Sequence, residues 1–298
     1  MKPYHLDLNG HQTRVMTSGQ TGPVLLFLHG FPEWSGAWEE IFAALPEMRC
    51  YAPDLRGYGI SFRPAEVAAY ATGKIARDVM DLIGVLDLDR VHLIGHDWGA
   101  SVAYAAAFKQ DPRIASLTVL NGVHPIPFQK ALARGGAQTA ASQYIPRLLR
   151  SGSEDKLAAD GFVGLTQLFA EEMDMSWLTG RKLEAYRAAW GSAAGLGAMI
   201  NWYRASPLVV RAPGARVAKD ELPNFPAPEM RVTIPHLLIW GMNDTLLLPE
   251  AREGLDTLCD DLTVREIKDA DHWLHHQKPG EVADLIRAFV QQHDQGNT

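Results

Sequence analysis

The stretch Val91–Ser101, VHLIGHDWGAS, limits what this chain can fold into more than any other. Val91–Ile94 reads as a buried strand, and Ala100–Phe108 as a helix of small residues that can lie close to a sheet. Between them stand only Gly95-His96-Asp97-Trp98-Gly99. The two glycines permit a tight strand-to-helix turn and a close approach of helix to strand. The residue between them, Asp97, is thereby lifted above the sheet at the helix N-terminus. This is the G-x-nucleophile-x-G form, with Asp in the nucleophile position. An Asp that only caps a helix would fit the same five residues, so the rest of the chain decides.

The flanking sequence alternates strands and helices. Pro23–His29 (PVLLFLH) is a continuous apolar run between Gly22 and Gly30, as expected of a parallel strand buried on both faces. Cys50–Asp54, Val91–Ile94 and Leu117–Leu120 read as further strands. Ile75–Leu86 has apolar residues at helical spacing. Such βα alternation predicts a parallel sheet with right-handed crossovers. From Pro125 to Ala212 the strands stop, and the segment reads as several helices bounded by HPIP (124–127) and RAPG (211–214). Strands resume at His236–Trp240 and Leu262–Ile267, and Gly280–His293 is an amphipathic closing helix. The spacing therefore predicts one α/β domain in two pieces, 1–124 and 213–298, with a helical insertion at 125–212.

Composition narrows the function classes. Apolar residues make up 47% and charged residues 21% of the 298, which excludes disorder and coiled coil. Lys plus Arg is 28 against 35 for Asp plus Glu, with no basic stripe, so nucleic acid is not an expected partner. Two cysteines, Cys50 and Cys259, exclude a disulfide scaffold and a Cys-based zinc site. The start MKPYHLDLNGHQTRV has no apolar h-region and no run of 18 apolar residues occurs, so a cytoplasmic protein is expected, without membrane contact. Monomer and homodimer both stay open.

Five motifs then stand in order: HGFPEWSGAW (29–38), DLRGYGIS (54–61), GHDWGAS (95–101), WGMNDTLL (240–247) and ADHWLHHQKP (270–279). Together they resemble the α/β-hydrolase superfamily over nearly the whole chain. The branch they are most similar to is that of epoxide hydrolases and haloalkane dehalogenases, with an Asp nucleophile. The resemblance implies an α/β-hydrolase fold: a mostly parallel eight-stranded sheet flanked by helices, with 125–212 as a helical cap. It implies a triad of Asp97, Asp244 and His272 and an oxyanion hole from the backbone N–H groups of Phe31 and Trp98, with Phe31-Pro32 cis. Phe31, Trp98 and Trp202 are expected to border the substrate pocket. Neither cofactor nor metal is expected.

The chemistry of each residue agrees with these roles. A carboxylate has a reference pKa near 3.9, so Asp97 is ionised at pH 7 without a base. It can attack an electrophilic carbon and form an alkyl ester. Hydrolysis of that ester needs an activated water; His272 is the candidate base and Asp244 its orienting acid. Asp271 stands where similar enzymes often carry Gly, and a carboxylate there can raise the His272 pKa. His275 and His276 lie just beyond.

Epoxide and halide chemistry differ in the leaving group. An opened epoxide leaves as an alkoxide and needs a proton, which tyrosines can donate at neutral pH. Tyr203, in NWYR (201–204), resembles an epoxide-hydrolase lid tyrosine, and Tyr144, in SQYIPRLLRSG, resembles the second. Tyr186 reads as packing. For a dehalogenase, Trp98 offers an indole N–H, but Phe31 stands where many haloalkane dehalogenases carry Asn. Trp98 and Ser101 stand where fluoroacetate dehalogenases carry arginines; Arg204 reads as a structural pair. The cap's Phe162, Phe169, Met173, Met175, Trp177, Trp190 and Met199 suggest pocket lining or cap core. The expected activity is hydrolysis of a small apolar epoxide by water to a vicinal diol. A haloalkane or haloacid dehalogenase is the alternative, and a non-catalytic small-molecule receptor of the same fold is a second one. Against the receptor stands the full set Asp97, Asp244, His272 with two tyrosines.

Overall fold

The computed structural model describes residues 1–294. Eight strands form one sheet: β1 (Lys2–Leu8), β2 (His11–Ser18), β3 (Val24–Leu28), β4 (Arg49–Pro53), β5 (Val91–His96), β6 (Ile114–Leu120), β7 (His236–Gly241) and β8 (Leu262–Ile267). Their order is β1-β2-β4-β3-β5-β6-β7-β8. Pairs β1/β2 and β2/β4 are antiparallel and the others parallel, so β2 alone runs against its neighbours.

The apolar runs become central strands because they can be buried on both faces. In β3 all five residues are buried. Leu26 and Leu28 point into one core cluster, Leu25 and Phe27 into the other, as the period of two requires. The first cluster takes in the helices Thr72–Val85 and Trp98–Ala107; the second takes in Glu39–Ala44 and Pro279–His293. In Thr72–Val85 the buried stripe is Ile75, Val79, Leu82 and Ile83. Each such side chain contributes about 1.5–3 kcal/mol on full burial.

One element escaped the sequence reading. The hairpin β1/β2 extends the sheet at one edge, turning at Asn9 (φ 56°) and Gly10 (φ 82°). Two successive left-handed residues of type Asn-Gly form the type I′ turn of a two-residue hairpin. The signal was therefore present in LNGH, but charged and polar residues in Lys2–Leu8 masked the alternation.

Between β6 and β7 the chain runs through six α-helices from Pro125 to Arg204, then an irregular stretch. The helix Ser153–Ala170 is broken at residues 159–162, where Asp160, Gly161 and Phe162 take left-handed angles. Among the described residues no helix is long and apolar enough to cross a membrane.

Candidate active site

The loops that leave the C-terminal ends of the parallel strands bring the motif residues together, as open α/β sheets do. His29–Phe31 follow β3, Asp97 follows β5, Asn121 follows β6, Asp244 follows β7 and His272 follows β8. The turn after β5 holds Asp97 at φ 50°, ψ −119°, outside the regions open to ordinary residues. Strain of this kind costs of order 1–3 kcal/mol and persists only where the surroundings enforce it. Here the surroundings are close: a Cβ on Gly95 would stand 2.6 Å from the Cα of Ala100, and one on Gly99 would collide with the carbonyl of Leu28.

The Asp97 carboxylate has two unlike oxygens. Oδ1 accepts the Phe31 backbone N–H at 2.7 Å. Oδ2 lies 3.6 Å from His272 Nε2. Burial raises the Asp97 pKa, opposed by the charges of His272 and His96 and by the N–H groups of Phe31 and Trp98. His272 Nδ1–H donates to Asp244 Oδ2 at 2.8 Å. Burial pushes the His272 pKa down, but Asp244, then Asp97 and Asp271, outweigh it, and the ring reaches about 9. The expected effect of Asp271 is thus present and lesser. Its carboxylate also accepts the N–H groups of Trp273 at 2.8 Å and Asp174 at 2.9 Å, tying this loop to the helical insertion.

Asp244 is buried, which alone would raise its pKa, yet it is held below the usual carboxylate value. His272, the backbone N–H groups of Leu246 and Leu247 at 2.8 and 2.9 Å, and the Asn121 amide at 2.6 Å stabilise its charge. Asn121 also exchanges hydrogen bonds with the Gly241 backbone, so it stitches β6 to β7 and aims Asp244. The sequence reading did not single it out; an Asn directly after a buried strand is the only signal.

A cavity of about 40 Å³ lies against Asp97 and Trp98, lined also by Tyr144, Tyr203 and Ser101 and closed by Val123, Phe128, Ile145, Leu208 and Leu247. The rings of Tyr203 and Trp98 meet edge to face at 5.0 Å, and those of Tyr203 and Phe31 at 5.2 Å. Burial raises the pKa of both Tyr144 and Tyr203, Asp97 adds to it, and both phenols stay protonated. Trp202 stands behind Trp98 and does not line the cavity: its indole N–H donates to the Arg56 carbonyl at 2.9 Å. Phe31 reaches the site through its backbone. Arg204 pairs with Glu154 at 3.0 Å. Phe31-Pro32 is cis.

Sequence reasoning missed a buried polar cluster beneath this site. Glu33, fully buried, accepts at Oε2 from His96 Nδ1 (2.8 Å) and the Gly30 N–H (3.2 Å). Its Oε1 meets His275 and His276 Nε2, both at 3.0 Å, and the Tyr186 hydroxyl at 3.2 Å. Tyr186 therefore does more than pack. His96 Nε2 lies 2.9 Å from the His272 carbonyl, which can only accept, so this nitrogen carries a hydrogen. The contact of its Nδ1 with Glu33 then holds one further proton. Desolvation alone would raise the Glu33 pKa; His275 and His96 hold it well below the carboxylate range.

Among the described residues, Glu33, His275 and His276 form the one grouping with metal-ligand chemistry. Their contacts of 3.0 Å are those of hydrogen bonds. Ligands about 2.0–2.1 Å from a tetrahedral zinc would stand farther apart. Replacing Glu33 by Leu would orphan all these donors and is expected to cost about 3–5 kcal/mol of stability, read by urea unfolding.

The family model of the alpha/beta hydrolase fold matches residues 23–279. Mouse epoxide hydrolase 4 is 30% identical over 95% of this chain and 77% of its own. A solved epoxide hydrolase from metagenomes of hot environments superimposes with a TM-score of 0.88 at 33% identity, over 97% of this chain and 98% of that one. The Bacillus megaterium epoxide hydrolase, solved with an inhibitor, gives 0.86 at 27%, over 97% and 100%. With the elbow, the strand-end loops and these likenesses in agreement, the chain belongs to the α/β-hydrolase family, in the branch that holds the epoxide hydrolases.

Proposed function

We propose that the protein is an epoxide hydrolase that turns a small apolar epoxide and water into a vicinal diol. Residues 1–124 and 213–298 form the catalytic domain in this reading, and 125–212 the cap. The observation that carries it is the pairing, across one cavity, of the Asp97 carboxylate with the Tyr203 and Tyr144 phenols. A nucleophile on one side and proton donors on the other are what ring opening needs.

The steps follow from the two oxygens of Asp97. Oδ1 is engaged by the Phe31 N–H, so Oδ2 attacks an epoxide carbon. The C–O bond of the ring breaks, and the departing oxygen takes a proton from a tyrosine. Asp97 is then an alkyl ester with Oδ1 as its carbonyl. His272, held by Asp244, takes a proton from water, and the water oxygen attacks Cγ of Asp97. Charge develops on Oδ1, where the N–H groups of Phe31 and Trp98 stabilise it. The Cγ–Oδ2 bond breaks as His272 returns its proton to Oδ2, the diol leaves with Oδ2, and Asp97 keeps the water oxygen, whose remaining proton restores the tyrosine as the carboxylate re-forms.

A single turnover in heavy-oxygen water tests this. The label is expected in Asp97 and absent from the first equivalent of diol; label in that diol would rule out the ester. Asp97→Ala is expected to abolish turnover. The second reading, dehalogenation, is favoured by the indole of Trp98 beside Asp97, and parallel assay of styrene oxide, a bromoalkane and fluoroacetate separates the two.

A further inference from the structure

His272 is the middle residue of a turn that its own neighbour builds. Asp271 Oδ1 accepts the N–H of Trp273, two residues on, at 2.8 Å. An Asp side chain bonded in this way closes an Asx turn, and the backbone it encloses, here that of His272, is fixed. The Asp271 N–H donates to the Gln277 amide oxygen at 2.9 Å. The loop is also knitted to the one that carries Asp244. The Asn243 N–H donates to the Ala270 carbonyl at 2.9 Å, and a Cβ on Gly241 would collide with the Asp271 carbonyl.

The second oxygen of Asp271 reaches the helical insertion. Oδ2 accepts the Asp174 N–H at 2.9 Å, and the Gln277 amide nitrogen donates to the Asp174 carbonyl at 3.3 Å. Thr245, next to Asp244, donates its hydroxyl to the Glu172 carbonyl at 2.9 Å. Residues 172–174, just beyond the helix Ser153–Ala170, are therefore held by both loops of the Asp244–His272 pair. The end of that helix also sets Phe169 edge to face against Trp273 at 5.5 Å. Asp271 is only 5% exposed, and a buried carboxylate is tolerated while donors satisfy it. One donor comes from the His272 loop and the other from the insertion, so a shift of either strips the carboxylate that both share.

Resting on the epoxide-hydrolase reading, we propose that Asp271 is a positioning residue: it pins the His272 loop to residues 172–174 of the insertion, and activation of the hydrolytic water depends on that contact. Ring opening does not draw on it, because Asp97 is held by the turn after β5 and by the Phe31 N–H. The second step alone is sensitive to Asp271.

The test is a single turnover of styrene oxide, followed by tryptophan fluorescence, in the parent, Asp271→Ala and Asp271→Asn. Rates are taken on the alkaline plateau of ester hydrolysis, where His272 is neutral in all three and the lost charge does not enter. Asp271→Ala is expected to slow ester hydrolysis about 10-fold or more, and ester formation by no more than about 2-fold. Asp271→Asn is equally uncharged but keeps one acceptor oxygen, and is expected to stay within about 3-fold of the parent. A residue that only stabilises the fold would lower the active fraction and leave both rates alone. That result, or equal slowing of both steps, would overturn the proposal. Amide hydrogen exchange, read by mass spectrometry, needs no substrate. In Asp271→Ala, residues 172–176 and 272–276 are expected to exchange about 10-fold faster together. Faster exchange in one segment alone, or in neither, would overturn the proposal even where the ester forms. A parent that forms no ester, with exchange raised in both segments, upholds the pinning contact and refutes the hydrolase reading alone. Should Asp271→Ala not fold, Thr245→Val, which loses one exposed hydroxyl, decides. Exchange at 172–176 about 3-fold faster, with slower ester hydrolysis, upholds the proposal, and unchanged values overturn it.

Discussion

His272→Gln is expected to stop the reaction halfway, with the substrate bonded to Asp97. Glutamine nearly fills the space of the imidazole and keeps a donor toward Asp244, but it cannot take a proton from water. Ring opening survives, because Asp97 is ionised without help. Ester hydrolysis does not, and steady-state turnover falls by about 10³-fold or more. Intact-protein mass spectrometry reads the outcome as a gain equal to the mass of one epoxide. An unmodified protein after incubation with substrate would remove His272 from the second step. In the free protein the His272 pKa is pushed up to about 9 by Asp244, then Asp97 and Asp271, so near neutrality it is cationic. Alkylation removes the charge of Asp97, and the ring becomes a weaker acid-holder with a pKa below about 9. Ester hydrolysis therefore rises with pH through that lowered value. At the acid end, formation of the ester is lost as pH falls through the raised pKa of Asp97. Stopped-flow fluorescence, with Trp98 beside the reacting carboxylate, follows both phases.

Tyr203→Phe is expected to slow epoxide opening about 10²-fold and to leave release of bromide from a bromoalkane within a few-fold. Phenylalanine keeps the edge-to-face contacts with Phe31 and Trp98 and removes only the hydroxyl. A bromide leaves as a stable anion and takes no proton, whereas an alkoxide must be protonated as it forms. Tyr144→Phe is expected to act in the same direction, and the double variant to approach 10⁴-fold, because each phenol contributes its own hydrogen bond to the departing oxygen. The two rings lie 6.1 Å apart over one cavity. Equal losses on epoxide and bromide would argue against proton donation.

What could be read in the sequence is what local spacing enforces. Gly95 and Gly99 announce the turn that exposes Asp97, and the doubly buried runs announce parallel strands. The helical character of 125–212 follows from its composition. Partners that meet only in three dimensions were not legible. Asn121, Glu33, His96 and His276 lie far apart in the chain, and each looks ordinary in its own segment. The break at residues 159–162 is equally silent, since Asp160 and Phe162 take left-handed angles that only tertiary packing imposes. Trp202 shows the converse: its sequence neighbour Tyr203 lines the cavity while Trp202 stands one layer behind it, because successive helical residues face different ways.

The position of the helical insertion has an evolutionary consequence. It leaves the sheet after β6 and returns at β7, and these two strands are parallel neighbours joined further by Asn121 and Gly241. Parallel neighbours always need a crossover of a dozen or more residues. The insertion is an enlargement of a connection the sheet requires anyway. Chain-closure entropy grows only by about 0.6 kcal/mol for each doubling of such a loop. Lineages can therefore lengthen, shorten or exchange this segment while the strand ends that carry Asp97, Asp244 and His272 stay in register.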